Sequence, residues 1–288
     1  GLLFWLRHRY ASPMHDTAIV FLAHFWSEAA ALRFERLRRE SSAAADCFLL
    51  LQDDDPQVLA HWQSRLQEIG AAHALVRFSA ATLATQLGLR YFGMRQVMSN
   101  THFPLLQFSH SHRYAYYWQV EYDVEYRGAW GDFFAARRPS EASLIAAHFH
   151  NWSEWPEWFW WPSLSTPAGA AVGPQNLYKA FMPVARFSQR ALHDIEQAHR
   201  QGWMGHYEVI VPTVLLMNGH NLEDLNVRGA CYIPGFQDPI PLLPLQSTIR
   251  ARPPVSLVEF RTRAQGALLF HPVKDAWVFD GKEVKLTR

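Results

Sequence analysis

The amino-acid sequence predicts an α/β fold with a mostly parallel central sheet flanked by helices, and three observations carry that expectation. Residues 18–23 (AIVFLA) and 47–51 (CFLLL) are continuous apolar runs, as expected of strands buried on both faces. The stretches that follow each of them carry helix start and stop residues at helical spacing. A third strand, residues 114–120 (YAYYWQV), is dense in aromatic residues. Strands alternating with helices build parallel sheets through crossover connections.

Taken in order, Ser27 is placed to cap a first helix. Ala30, Phe34 and Leu37 fall on one side of it, and Arg33, Arg36 and Arg39 are expected mostly outward. The strand at 47–51 runs into Asp53-Asp54-Asp55. In parallel sheets the ligand crevice lies beyond the carboxyl ends of the strands, so Asp53 and Asp54 are placed to touch a ligand. They read equally well as a helix cap and solvated charge. Asp55-Pro56 opens a second helix with the apolar stripe Val58, Leu59, Trp62, Leu66 and Ile69, ended by Gly70. Residues 91–110 contain a helix, and 143–149 read as a strand.

Between 151 and 167 the composition changes. Trp152, Trp155, Trp158, Phe159, Trp160 and Trp161 crowd a segment with three prolines, which indicates a loop-rich insertion. Residues 179–186 read as a strand, and Ser188 caps a helix carrying Ala191, Leu192, Ile195 and Ala198, closed by Gly202. Residues 209–217 suit a short buried helix with Pro212 near its start. The proline-rich C-terminal third reads as short strands and turns. With no internal repeat and no linker, residues 1–288 are expected to form a single domain.

Bulk properties narrow the function. Lys plus Arg number 27 against 26 Asp plus Glu, a balance that argues against a general nucleic-acid binder. Cys47 and Cys231 lie far apart in apolar runs, as buried free thiols would, which fits a reducing, cytosolic setting. No apolar run approaches the roughly 20 residues needed to span a bilayer. The segment Leu2-Leu3-Phe4-Trp5-Leu6-Arg7-His8-Arg9 suits either peripheral contact with a membrane or a terminal helix packed on the domain.

Chemistry concentrates where the third strand ends on Glu121-Tyr122-Asp123. On a strand, residues two apart point to one side. Adjacent carboxylates repel unless a cation sits between them, and hard divalent ions favour one or two carboxylates together with substrate phosphates. Spacing alone favours a solvated strand end. The stretch Tyr116-Tyr117-Trp118-Gln119-Val120-Glu121-Tyr122-Asp123-Val124 resembles the variant Asp-x-Asp motif of GT-A fold glycosyltransferases. Strands near residues 18 and 47, the strand with Arg186-Phe187-Ser188, and Gly205-His206-Tyr207-Glu208 follow in that family's usual order. The resemblance implies a GT-A-like (Rossmann-like) domain. Residues 1–150 would form a nucleotide-sugar-binding half, and 151–288 an acceptor-binding and catalytic half. It implies transfer of a sugar from a nucleotide-diphosphate donor, a UDP-sugar above others, to a carbohydrate or glycolipid acceptor. It also implies that Glu121 and Asp123 hold a divalent metal, Mn²⁺ or Mg²⁺, and the donor diphosphate. Glu stands in the first motif position, a departure from the family, some members of which work without a metal.

Further residues follow from the same resemblance. Glu208, at a helix start, is similar in place to the base of inverting GT-A enzymes, and equally suits a helix cap. His206 would orient Glu208 or touch phosphate. His271 is similar in place to the late histidine that serves as a further metal ligand, though a histidine in an apolar setting is commonly structural. Lys274 would balance phosphate charge. Trp155, Trp158 and Trp160 offer faces for an acceptor sugar, or form a packed lid or a membrane-interface belt. Two other readings remain open: a non-catalytic carbohydrate-binding protein using the tryptophan surface, and a metal-dependent phosphoester hydrolase.

Overall fold

The two apolar runs fold as β1 (Thr17–Ala23) and β2 (Asp46–Gln52), followed by β3 (Leu75–Phe78) and β4 (Tyr116–Glu121), all parallel. This is a computed structural model, which describes residues 14–168, 170–225, 247–263 and 266–287. The N-terminal apolar and basic segment and Cys231 lie outside the described residues. The continuity of the apolar runs has a direct cause. Ala18, Val20 and Leu22 enter the core on one face of the sheet, while Ile19, Phe21 and Ala23 enter the core on the other.

Helices α1 (Glu28–Ser41), α2 (Pro56–Glu68), α3 (Ala80–Leu87) and α4 (His102–Ser111) connect these strands. Local capping sets the starts of the first two. The Ser27 side chain accepts from the Ala30 N–H, and Asp55 accepts from Gln57 and Val58. After β4 come β5 (Glu125–Tyr126), α5 (Trp130–Arg137) and β6 (Leu144–Asn151). The Trp-rich insertion then leads into the long β7 (Tyr178–Ser188), α6 (Gln189–Arg200), α7 (Tyr207–Met217) and β8 (Leu222–Asp224). The C-terminal part adds α8 (Leu257–Arg263), β9 (Leu269–Phe270), β10 (Trp277–Phe279) and β11 (Val284–Leu286).

The central sheet has seven strands in the order β3-β2-β1-β4-β7-β6-β8. β7 alone runs antiparallel to its neighbours β4 and β6. The mostly parallel α/β expectation therefore holds. Its topology collects the site at one edge. The carboxyl ends of β1, β2, β4 and β6 share that edge, and the antiparallel β7 brings its amino end, Tyr178 and Lys179, to meet them. The insertion between β6 and β7 accordingly emerges there.

Two expectations need correction. Arg33 and Arg36 are not outward; they are 6% and 2% exposed. Arg33 pairs with the buried Glu125 (Nε to Oε1, 2.8 Å) and donates to the Trp277 carbonyl at 2.7 Å. Arg36 reaches Glu125 Oε2 at 3.4 Å and the Tyr126 carbonyl at 2.9 Å. The ribbon of β5 with β9, together with β10, covers the face of α1 that helical periodicity assigns to water. Arg39 remains exposed. Pro212 lies in the middle of α7, because that helix starts two residues earlier than its apolar run. Lacking an N–H, Pro212 leaves the Glu208 carbonyl without its intrahelical partner.

Candidate functional site

Glu121 is the last residue of β4, in register with Leu22 of β1. A tight turn follows, closed by the Val124 N–H on the Glu121 carbonyl at 3.1 Å. The Asp123 carbonyl accepts from the Val273 N–H at 2.8 Å, which stitches the turn to the C-terminal segment. That segment delivers two cationic groups. His271 Nε2 stands 3.5 Å from Glu121 Oε2 and 3.4 Å from Asp123 Oδ1. The Lys274 ammonium makes a very short contact with Asp123 Oδ2 and donates to the Tyr122 hydroxyl at 2.8 Å.

Electrostatics follow from this closure. Asp123 is 3% exposed, so it is no solvated strand end. Burial opposes its charge, yet the cationic neighbours His271 and Lys274 outweigh burial and hold its carboxyl far below the usual range. For His271 burial works in the other direction, but Asp123 and Glu121 prevail and raise it to about 10.

Ligand atoms of Glu121, Asp123 and His271 lie within 4.8 Å of one another, the one such group among the described residues. Two observations fit a divalent cation. Asp123 Oδ1 is buried and, apart from its ion pair with His271 Nε2 at 3.4 Å, has no hydrogen-bond partner among the described residues. His271 Nδ1 lies 2.9 Å from the Arg250 carbonyl, an acceptor only, so Nδ1 carries a proton, and Nε2, once it sheds its own, would turn a lone pair to the carboxylates.

Glu208 joins this group from α7. His206 caps that helix, its Nδ1 accepting from the Glu208 N–H at 3.4 Å. Burial and the Glu121 charge lift the Glu208 carboxyl to about 7, against the opposing pull of Lys179, the Tyr207 hydroxyl and His271. Glu208 is thus electrically coupled to both Glu121 and His271. His206 is driven down to about 4, by burial and then by Lys179, so its ring is neutral.

The tryptophans divide. Trp158 is interior, packed with Trp161 on Val209 of α7, and the Lys179 ammonium lies 5.1 Å above its ring. Trp155 is half-buried, with Lys179 5.5 Å from its centroid. Trp160 stacks on His206 at 4.2 Å and 7° between planes, which puts it beside the start of α7.

Asp53 and Asp54 lie at the same sheet edge, two strands away from β4, with their carboxylates engaged. Asp53 Oδ2 pairs with Arg77 at 2.7 Å. Asp54 accepts from Ser79, from the Ala80 N–H and from Gln52. Although slight burial works against it, these bonds hold Asp54 below the usual carboxylate range.

Sequence reasoning gave no role to His24, Tyr122, Lys179 or Tyr207. His24 follows β1 directly, with its ring 5.1 Å from Tyr122. Burial and Lys274 lower it, against Asp123. The Tyr207 hydroxyl is 3.4 Å from Glu208 Oε1. A polar side chain immediately past the end of a buried strand is the signal that could have found His24.

No family model matches the chain, and no curated protein matches its sequence. Among solved structures, it is similar to a galactosyltransferase, LgtC, solved with donor and acceptor sugar analogues (15% identity, TM-score 0.42, 82% of this chain and 84% of that one). An active-site mutant of LgtC gives 13% identity and a TM-score of 0.43, covering 82% of this chain and 88% of that one. The glycosyltransferase GlyE of Streptococcus pneumoniae gives 16% and 0.35, covering 73% of this chain and 45% of that one.

Proposed function

We propose that this chain is a glycosyltransferase that moves a sugar from a nucleoside-diphosphate donor to an acceptor hydroxyl, with inversion. One observation carries the reading. A buried carboxylate, Asp123, meets His271 Nε2 (3.4 Å from Oδ1) and Glu121 at a strand end, beside a second carboxyl tuned to about 7. Glu121, Asp123 and His271 would hold a divalent cation, and Lys274 would face the diphosphate. Such a cation, when bound, neutralises the charge that develops on a departing diphosphate. Glu208 takes the proton of the acceptor hydroxyl as that oxygen bonds to the anomeric carbon and the bond from carbon to diphosphate oxygen breaks. Trp160, stacked on His206, offers a face for the acceptor sugar.

The test is a thermal-shift comparison of UDP and GDP with and without Mn²⁺, on the wild type and on Asp123→Asn. Stabilisation by nucleotide that needs the metal, and that is lost with transfer in Asp123→Asn while the fold persists, is the expected result. Full transfer activity in Asp123→Asn sinks the reading. Glycan binding with no nucleotide response would favour a non-catalytic carbohydrate-binding protein instead.

A further inference from the structure

Two loops beside this site expose large apolar side chains. In one, Gly93 and Gln96 take left-handed backbone conformations (φ +69° and +42°) on either side of Met94. Met94 is 99% exposed and Met98 60%. In the other loop Phe159 is 70% exposed. Phe92 and Trp160 join the loops at 6.2 Å between centroids, and Phe159 lies 4.8 Å from Trp160. Trp160 stacks on His206, so the crest is continuous with the start of α7 that carries Glu208.

We propose that this crest docks the protein on the interfacial layer of a phospholipid bilayer, and that the acceptor is correspondingly a hydroxyl of an amphiphile held in that bilayer. The acceptor clause rests on the transferase reading; the docking does not. Side chains as exposed as Met94 and Phe159 stand clear of the protein as separate knobs on turns. Such knobs insert between lipid headgroups, where aromatic rings are favoured. A stable protein partner needs roughly 800 Å² per side with an interdigitated apolar centre, whereas the exposed apolar side chains here project from two loop tips. Charge does not drive the contact. Arg90 and Arg95 are exposed on one loop, and Glu154 and Glu157 on the other. Glu154 is turned back onto the Asn151 N–H and His150. Attachment is therefore apolar and insensitive to salt.

Co-sedimentation with phosphatidylcholine vesicles, with and without phosphatidylglycerol, at about 0.1 M and about 0.5 M salt, tests this. The wild type is expected to pellet with both compositions at both salt levels. The double variant Met94→Ser/Phe159→Ser, unchanged in melting temperature, is expected to lose binding about tenfold, whereas Met217→Ser at the other end of α7 does not. Wild-type protein left in the supernatant, or binding that survives in the double variant, overturns the proposal. So does self-association by light scattering without vesicle binding, which would assign the crest to a second copy. Nucleotide response by thermal shift reads the other question. Its absence from the wild type counts against the transferase and leaves the docking result standing.

Discussion

Glu208 and His271 titrate in opposite senses, and each sets a measurable pH dependence. Glu208 must be ionised to accept a proton. Transfer is expected to rise with pH through about 7. Glu208→Gln should lower the rate by at least about a hundredfold across the range. The same carboxyl works against the fold. Its folded value lies above the usual 4.5, so the folded state holds a proton that the unfolded chain releases. Stability therefore falls as pH rises from about 4.5 to about 7 and is flat above that. Glu208→Gln should accordingly melt higher than wild type at pH 8, as differential scanning calorimetry will show. His271 must shed its proton to ligate a cation. The Mn²⁺-induced thermal shift should be larger at pH 8 than at pH 6, and His271→Gln should remove most of it. Spacing made Glu121 and Asp123 visible in the sequence. Asp123's burial was not visible, because the groups that bury and pair it arrive 151 residues later.

At the scale of elements, local signals were read well. Ser27, Asp55 and Ser188 each cap the helix that follows them, since a cap involves neighbours two or three residues apart. The arginines of α1 were misread because their covering is remote: Glu125 lies 92 residues from Arg33, and the Trp277 carbonyl 244. Removing one partner of a buried pair leaves charge without compensation. Glu125→Ala is expected to cost about 3–5 kcal/mol in denaturant unfolding. Glu125 also fixes the chain two residues past Asp123, so the nucleotide response should weaken with it. On the other side of the site, the Thr213 hydroxyl of α7 accepts from the Tyr178 N–H and donates to the Tyr178 carbonyl, each at 3.1 Å. This clamp ties the helix of Glu208 to the start of β7. Thr213→Val, close in volume, should destabilise the protein by about 1–3 kcal/mol.

For the whole molecule, the alternation of buried strands and capped helices made the parallel half of the sheet legible. The insertion of β7 between β4 and β6 was not, because antiparallel pairing depends on partners that strand periodicity does not name. The short β3, with exposed Arg77 interrupting its apolar residues, and the short helix α5 carried too weak a pattern to be assigned. Strand position should appear in hydrogen exchange. Amides of β1 and β4, central and covered on both faces, are expected to exchange slowest, and those of β3, at the edge of the described sheet, faster.

The closure of Asp123 by residues so distant in the chain also orders events during synthesis. Ribosomes release the amino end first, so β1 to β4 emerge long before His271 and Lys274. In a nascent chain that stops short of them, the acidic turn has neither its imidazole nor its ammonium. Such a fragment has a strand end but not the buried ion-pair cluster that closes over it. The cluster of Glu121, Asp123 and His271 is thus completed last, and a prematurely terminated copy would lack it.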